Sequence, residues 1–384
     1  MIHLIFKWIY RSCIFIFSYL FRIFPIKDNR IIISNYYGKG YGDNGKYICE
    51  QLLQMDENLE IVWLINKNQN TLSFNSKIKI VKNKSIKGLY YLCTSKVWID
   101  NCRKHFYSYK RKNQFYIQTW HGAIPLKKIE KDAESKLSKD YVKNAKLDSK
   151  LMDALISNGT FSTRIMKQSF WFDGPIYEYG SPRCDVLFSD VNRKNRIKEK
   201  ISIDKKYKIL LYAPTFRKDM SVEIYKLNFD KILQVLKNKT EKDWIIFIRM
   251  HPSLNKNIEI NNQNVINVSN YDDMYELMLI SDILITDYSS SMFEFMFTKK
   301  PVFLYAPDIN DYLDDRGFYF EFEELPFPKA FNFEDLLRKL TLFDNNKYIY
   351  SIEEFIKKIG CFEDGKASER VANLILKKVY KNEN

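Results

Sequence analysis

The sequence predicts an α/β protein made of two doubly wound domains with a cleft between them. Three observations predict this. Short β-branched or apolar runs alternate with helical segments, the pattern of a parallel sheet covered on both faces. The alternation lapses in a basic stretch without Pro or Gly, residues 189–206, and then restarts. The chain has 384 residues, too many for one ordinary core; two domains of roughly 150–200 residues each accommodate them.

Arg30–Ser34 (RIIIS) reads as the first strand, followed by a turn containing Gly38, Gly40 and Gly42 and by a helix from Asn44 to Met55. Glu60–Asn66, Lys77–Lys82, Lys96–Asn101 and Gln114–Trp120 read as further strands. Residues 126–150 are highly charged with few large apolar side chains, which predicts a solvated helix or mobile loop. Leu155–Ser157 and Ile176–Gly180 complete the first series. The second series reads Tyr207–Ala213, a helix over 226–238, Trp244–Met250, Val265–Val268, a helix over 272–280, Ile283–Thr286, a helix over 290–297 and Pro301–Tyr305. The expected division is an N-terminal helix over 1–27, a first domain over 28–188 and a second over 189–384.

The N-terminal helix ends at Pro25. Its longest uncharged stretch, Ser12–Phe21, is ten residues, and a membrane-spanning helix needs about 20. No small-residue cleavage site follows it. Two readings stand: an interfacial helix with Trp8, Phe15 and Phe21 at the headgroups and Lys7, Arg11 and Arg22 beside anionic lipid, or a helix packed on the protein itself.

The net charge of +14 implies attraction to polyanions. Residues 103–150 carry 13 Lys/Arg against 5 Asp/Glu. No zinc-finger, helix-turn-helix or RNA-binding signature is present, so acidic lipid or phosphorylated substrates fit better than nucleic acid. The six cysteines show no CxxC spacing and the four histidines no metal-ligand spacing. This predicts free thiols, no metal, no cofactor and a reducing compartment.

Five candidate sites follow predicted strands, where doubly wound sheets bind ligands. His121-Gly122 follows QFYIQTW; an imidazole at a strand end suits a general base, and Lys127 and Lys128 lie just beyond. Arg249 and His251 end WIIFIRM on one side of the strand and suit a phosphate. Ser289 and Ser290 open a helix after ILITD, offering hydroxyls and free N–H groups to an anion, with Glu294 one turn on, able to hold ribose hydroxyls. Pro214-Thr215 with Arg217, and Ser181-Pro182-Arg183, are stiff turns that each place a hydroxyl and a guanidinium. No Asp-x-Asp motif follows a strand; Arg249 and a helix start could meet a diphosphate without metal.

QTWHGAIPLKK, YGSPRCDVL, LLYAPTFR, FIRMHP and ISDILITDYSSSMFEF, in this order, resemble the CDP-glycerol glycerophosphotransferases, the teichoic acid primases and polymerases and their capsule relatives. The resemblance runs from Tyr37 to Leu325. It implies a GT-B-like fold of two Rossmann-like domains, an acceptor domain followed by a CDP-donor domain, and a metal-free peripheral enzyme on the cytoplasmic face of the membrane. The implied reaction moves glycerol phosphate from CDP-glycerol to a lipid-linked saccharide acceptor and releases CMP. A CDP-ribitol donor, and a GT-B glycosyltransferase using a nucleotide sugar, stand as alternatives. The resemblance casts His121 as the base and His251 as a donor-phosphate ligand that also stabilises the leaving CMP. It aligns Gly122, Ala123, Pro125, Arg183, Pro214, Thr215, Arg249, Met250, Ser289, Ser290 and Glu294 with donor-binding positions. The chain departs from the family pattern in the longer His121-Gly122-Ala123-Ile124-Pro125, in Ser181 and Cys184, and in Glu294 where Asp is usual. It also lacks the long N-terminal region of many polymerases, which points to a primase-like or capsule-type transferase.

Overall fold

The computed structural model describes residues 12, 14–104, 109–215, 217, 227–250, 262–309 and 317–380. His251, Trp8, Lys7 and Arg11 lie outside the described residues.

The first sheet has seven parallel strands: β1 (Lys27–Ser34), β2 (Glu60–Ile65), β3 (Lys79–Lys82), β4 (Ser95–Asp100), β5 (Phe115–Gln118), β6 (Ala154–Ser157) and β7 (Ile176–Glu178). Their spatial order is β3-β2-β1-β4-β5-β6-β7. The second sheet holds β8 (Lys208–Tyr212), β9 (Trp244–Ile248), β10 (Val265–Asn267), β11 (Ile283–Thr286), β12 (Val302–Tyr305) and β13 (Lys329–Ala330), in the order β10-β9-β8-β11-β12-β13 and again parallel. Both orders reverse beside their first strand, which is the Rossmann topology. The switch points lie between β1 and β4 and between β8 and β11.

The strands read as apolar runs because helices cover both faces. Ile31, Ile33, Trp63, Ile99 and Ile117 pack with Ile48 and Leu52 of the helix Asp43–Met55. Gly45 makes that approach possible, since a Cβ there would lie 2.9 Å from Ile33 Cγ2. In the second sheet Leu210, Ile246, Ile285 and Phe303 pack with Ile232 and Leu236 of the helix Phe229–Thr240. Each buried aliphatic side chain contributes about 1.5–3 kcal/mol.

The chain forms two compact units that interleave. One comprises Met1–His121, Glu130–Asp185 and Lys366–Asn384, the other Gly122–Ile129 and Val186–Gly365. The helix Ala367–Val379 returns to the first sheet because Val371, Ala372 and Ile375 are buried there. The N–H groups of Ala367 and Ser368 also donate to the Asp185 carboxylate at 3.0 and 2.7 Å.

The charged stretch 126–150 differs from its expectation. It contains a 3-10 segment, Glu130–Lys136, and a helix, Lys139–Leu151, with Glu130, Ala133, Val142, Ala145 and Asp148 buried. Arg103 is the reason: its guanidinium lies 2.7 Å from Glu130 and 3.3 Å from Asp148, so acids that look solvated in sequence are drawn inside. At the N-terminus, residues 14–20 are helical. Ser18 is buried and Phe21 and Phe24 pack on Tyr90, whereas Phe15, Ile16, Tyr19, Leu20 and Ile23 are exposed. The packing of Phe21 and Phe24 on Tyr90 fits the second expected reading, a helix packed on the protein itself. Among the described residues no helix is long and apolar enough to cross a membrane.

Candidate active site

In the first unit, the loops after β1, β4 and β5 converge on His121. The chain leaves β5 through Trp120, whose φ of 55° is left-handed. This turn costs a bulky residue about 1–3 kcal/mol and persists only where its surroundings hold it. Asn44 Nδ2 donates to the Trp120 carbonyl at 2.9 Å, and the Trp120 N–H donates to Gln118 Oε1 at 2.9 Å. The indole lies against the imidazole, ring centroids 4.2 Å apart.

His121 Nδ1 is 2.7 Å from the Asn101 carbonyl oxygen. A carbonyl only accepts, so Nδ1 carries the proton and Nε2 keeps its lone pair in the neutral ring. Part of the residue stays exposed, yet the protein packed around it pushes the imidazole pKa below its ordinary value; the Asn101 carbonyl and Asp43 pull it up, Arg183 pushes it down and Glu130 raises it. Burial also raises the neighbouring Cys102 thiol, which therefore stays neutral at 3.7 Å from Nδ1.

Arg183 is buried and sits 2.9 Å from Asp43, which also accepts from the Tyr36 hydroxyl at 2.9 Å. The Arg183 N–H donates to Asn44 Oδ1 at 3.1 Å. Asp43, Asn44 and Asn101 were not singled out in the sequence, although Asp-Asn opening a helix directly after a glycine-rich turn was a signal available to find the first two.

In the second unit the described residues that follow β8, β9 and β11 hold the other candidate groups. Asp287, directly after β11, is buried and accepts from the Thr215 N–H at 2.8 Å and from the Thr215 hydroxyl. Arg217 lies 2.9 Å from Asp287 and 2.6 Å from Asp308, and its guanidinium stacks 4.9 Å from the Tyr288 ring centroid. Arg249 donates to the carbonyls of Tyr271 at 2.6 Å and Val268 at 3.3 Å. Met250 is buried, its N–H on Ser269 Oγ at 2.9 Å, and Pro214 is half-buried.

Ser289 and Ser290 are partly exposed at the start of the short helix Ser291–Met296. Ser290 has helical dihedrals and makes no cap, while Ser289 Oγ accepts from the Ser291 N–H at 3.3 Å, so the capping expected of this serine run falls to Ser289. Glu294 is buried; it accepts from the Tyr275 hydroxyl at 2.8 Å and from the Ala123 N–H at 3.3 Å. Gly122, Ala123 and Pro125 thus belong to this unit, where Ser290 Oγ would lie 3.7 Å from a Cβ on Gly122. Lys128 continues the segment, its N–H on the Gly317 carbonyl at 3.1 Å. Among the described residues no group of three or more His, Cys, Asp or Glu could hold a metal ion.

Two Rossmann-ordered parallel sheets, one followed by a neutral imidazole and the other by serines at a helix start, define a GT-B-like α/β protein. The comparisons with known proteins narrow the class. The chain belongs to the CDP-glycerol:poly(glycerophosphate) glycerophosphotransferase family, whose model matches residues 16–377. It is 35% identical over 390 residues to a teichoic acid poly(glycerol phosphate) polymerase of Bacillus spizizenii, covering 96% of this chain and 98% of that protein. It is 34% identical over 364 residues to a teichoic acid glycerol-phosphate transferase of Staphylococcus aureus, covering 91% and 93%. The solved structure of the wall teichoic acid polymerase TagF superposes with a TM-score of 0.83 at 32% identity, over 95% of this chain and 93% of that one. The chain is thus an enzyme, a CDP-glycerol glycerophosphotransferase, rather than a glycosyltransferase. Chain length does not separate a primase from a polymerase here, because a polymerase of almost the same span is among the relatives.

Proposed function

We propose that the enzyme transfers glycerol phosphate from CDP-glycerol to a hydroxyl of a lipid-linked teichoic acid or capsule acceptor at the cytoplasmic face of the membrane, with His121 as general base. The observation that carries this is His121 itself: Nδ1 is committed to a backbone carbonyl, leaving Nε2 as the base. Nε2 takes the proton of the acceptor hydroxyl. The acceptor oxygen bonds to the β-phosphorus as the bond from that phosphorus to the bridging oxygen breaks, and CMP leaves with that oxygen. Negative charge on the transferring group is met by preorganised donors, an electrostatic role. We assign it to Ser289, Ser290, Arg249 and His251, with Gly122, Pro125, Pro214, Thr215 and Met250 shaping the donor pocket. Arg183 and Glu294 are read as supports, since each is engaged within its own unit.

The exposed apolar residues of 14–24 and Ile86 support docking on a membrane surface. Beside them lies an apolar cavity of about 240 Å³ lined by Ile14, Phe17, Leu64, Leu89 and Leu92. Lys84 lines that cavity, and it and the exposed Arg22 supply cations for anionic lipid. The test is incubation with a lipid-linked disaccharide and either CDP-glycerol or CDP-ribitol, followed by mass analysis. Glycerol phosphate adducts with CMP released are expected. Adducts from CDP-ribitol alone would overturn the reading.

A further inference from the structure

The side chains touching His121 do not explain by themselves why its ring points one way. The backbone around it does. Asn101 directly follows β4, and its carbonyl accepts the Nδ1–H bond at 2.7 Å. Its amide is clamped at both ends: Oδ1 accepts from the Tyr36 N–H at 2.8 Å, and Nδ2 donates to Asn35 Oδ1 at 2.6 Å. Asn35 and Asn101 are both buried, so the pair staples the carboxyl ends of β1 and β4 across the switch point. On the other side, Asn44 holds the Trp120 carbonyl at 2.9 Å and accepts from the Arg183 N–H at 3.1 Å. Tyr36 at φ 41° and Trp120 at φ 55° are both left-handed, and these amides bond their backbones. Strained bulky residues stay only where the surroundings over-determine them.

We propose that Asn101 and Asn44 are positioning residues for the transfer reaction: Asn101 fixes the Nδ1–H tautomer of His121, and Asn44 fixes the left-handed step that aims its Nε2. The proposal rests on His121 being the base. The charged and titratable groups of the first unit acting on the ring are Asp43, Arg183 and Glu130, with the neutral Cys102 thiol and the Tyr36 ring beside it. None of them bonds Nδ1 at the distance the Asn101 carbonyl does. Loosening Asn101 therefore frees both tautomers and removes a contact that raises the imidazole pKa.

The experiment combines kinetics with a spectroscopic reading of the ring. In the wild type, ¹⁵N-histidine NMR at neutral pH, with the His121 signals identified by their loss in His121→Gln, should show Nδ1 protonated and Nε2 bare. Asn101→Ala and Asn44→Ala should each lower the plateau kcat by on the order of 10–100-fold, the scale of a misplaced catalytic group, with KM for CDP-glycerol little changed. Asn101→Ala should show the Nε2–H tautomer beside the Nδ1–H form. In Asn101→Ala the rising limb of the kcat–pH profile should move to lower pH. A wild-type ring protonated on Nε2 overturns the proposal, even if neither variant folds. So does an Asn101→Ala variant that loses kcat with unaltered tautomer and limb, because a purely structural defect does that. Failure of the underlying reading looks different: His121→Ala would retain turnover while the tautomer remained as described.

Discussion

The two switch points solve opposite electrostatic problems with the same topology. At the first, the arginines are spent inside the protein. Arg183 faces Asp43, and Arg103 faces Glu130 and Asp148, so the imidazole sits among compensated charges and is kept neutral by burial. At the second, Arg217 is likewise held between Asp287 and Asp308, and Arg249 points at backbone carbonyls. There Ser289, Ser290, Thr215 and Arg249 are partly exposed. The difference teaches that one crest holds a neutral imidazole among paired charges, while the other holds hydroxyl groups beside cations engaged by carboxylates and carbonyls. A guanidinium after a strand is therefore a weak indicator of phosphate binding: in sequence it looks the same whether it meets substrate or a buried carboxylate.

The comparison can be broken most forcefully at His121. His121→Ala should lower turnover by on the order of 10²–10⁴, the range for a lost general base, with donor binding intact by calorimetry. Near wild-type turnover would remove the first crest from the chemistry.

A second test separates the two arginine clusters. Arg103→Met leaves Glu130 and Asp148 buried without their partner and should cost about 3–5 kcal/mol in denaturant unfolding. Arg217→Met should cost less, because Asp308 keeps some exposure. Equal losses would show that the clusters do not differ in the way described.

These clusters mark where the sequence was legible and where it was not. Strands such as Arg30–Ser34 and Ile283–Thr286 were visible because β-branched runs between helices have one economical arrangement in a parallel sheet. His121, Arg249, Thr215 and Ser289 were placed correctly at strand ends for the same reason. Asp43–Arg183 was not visible, as its partners are 140 positions apart. The burial of Glu130 and Asp148 was missed because it depends on Arg103, and a run of charges carries no local trace of such a partner. The helix Ala367–Val379 was not foreseen as part of the first unit, since amphipathic spacing gives a helix its buried face but not the sheet it covers.

A third test sharpens the reading of the second crest. If serines, N–H groups and fixed cations meet the donor phosphates, transfer should persist in EDTA with metal-free buffer. Complete loss, restored by magnesium, would assign the phosphate charge to a bound ion instead.

The smallest expected effect concerns the N-terminus, which belongs to the first unit. Deleting residues 1–24 should weaken co-sedimentation with anionic liposomes. Salt should weaken binding of the full chain, as screening removes the contribution of about 1 kcal/mol per well-placed cation. Turnover on a soluble acceptor analogue should be retained. Equal liposome binding by both forms would assign the helix to internal packing.

The most direct measurement of the central claim is the pH dependence of kcat in the wild type and in His121→Ala. A base whose pKa is depressed by burial is deprotonated, and so active, at lower pH than a free imidazole. The wild-type rate should rise with pH through a midpoint below about 6.5, and the residual rate of His121→Ala should lack that limb. A limb that survives unchanged in the variant would contradict the account.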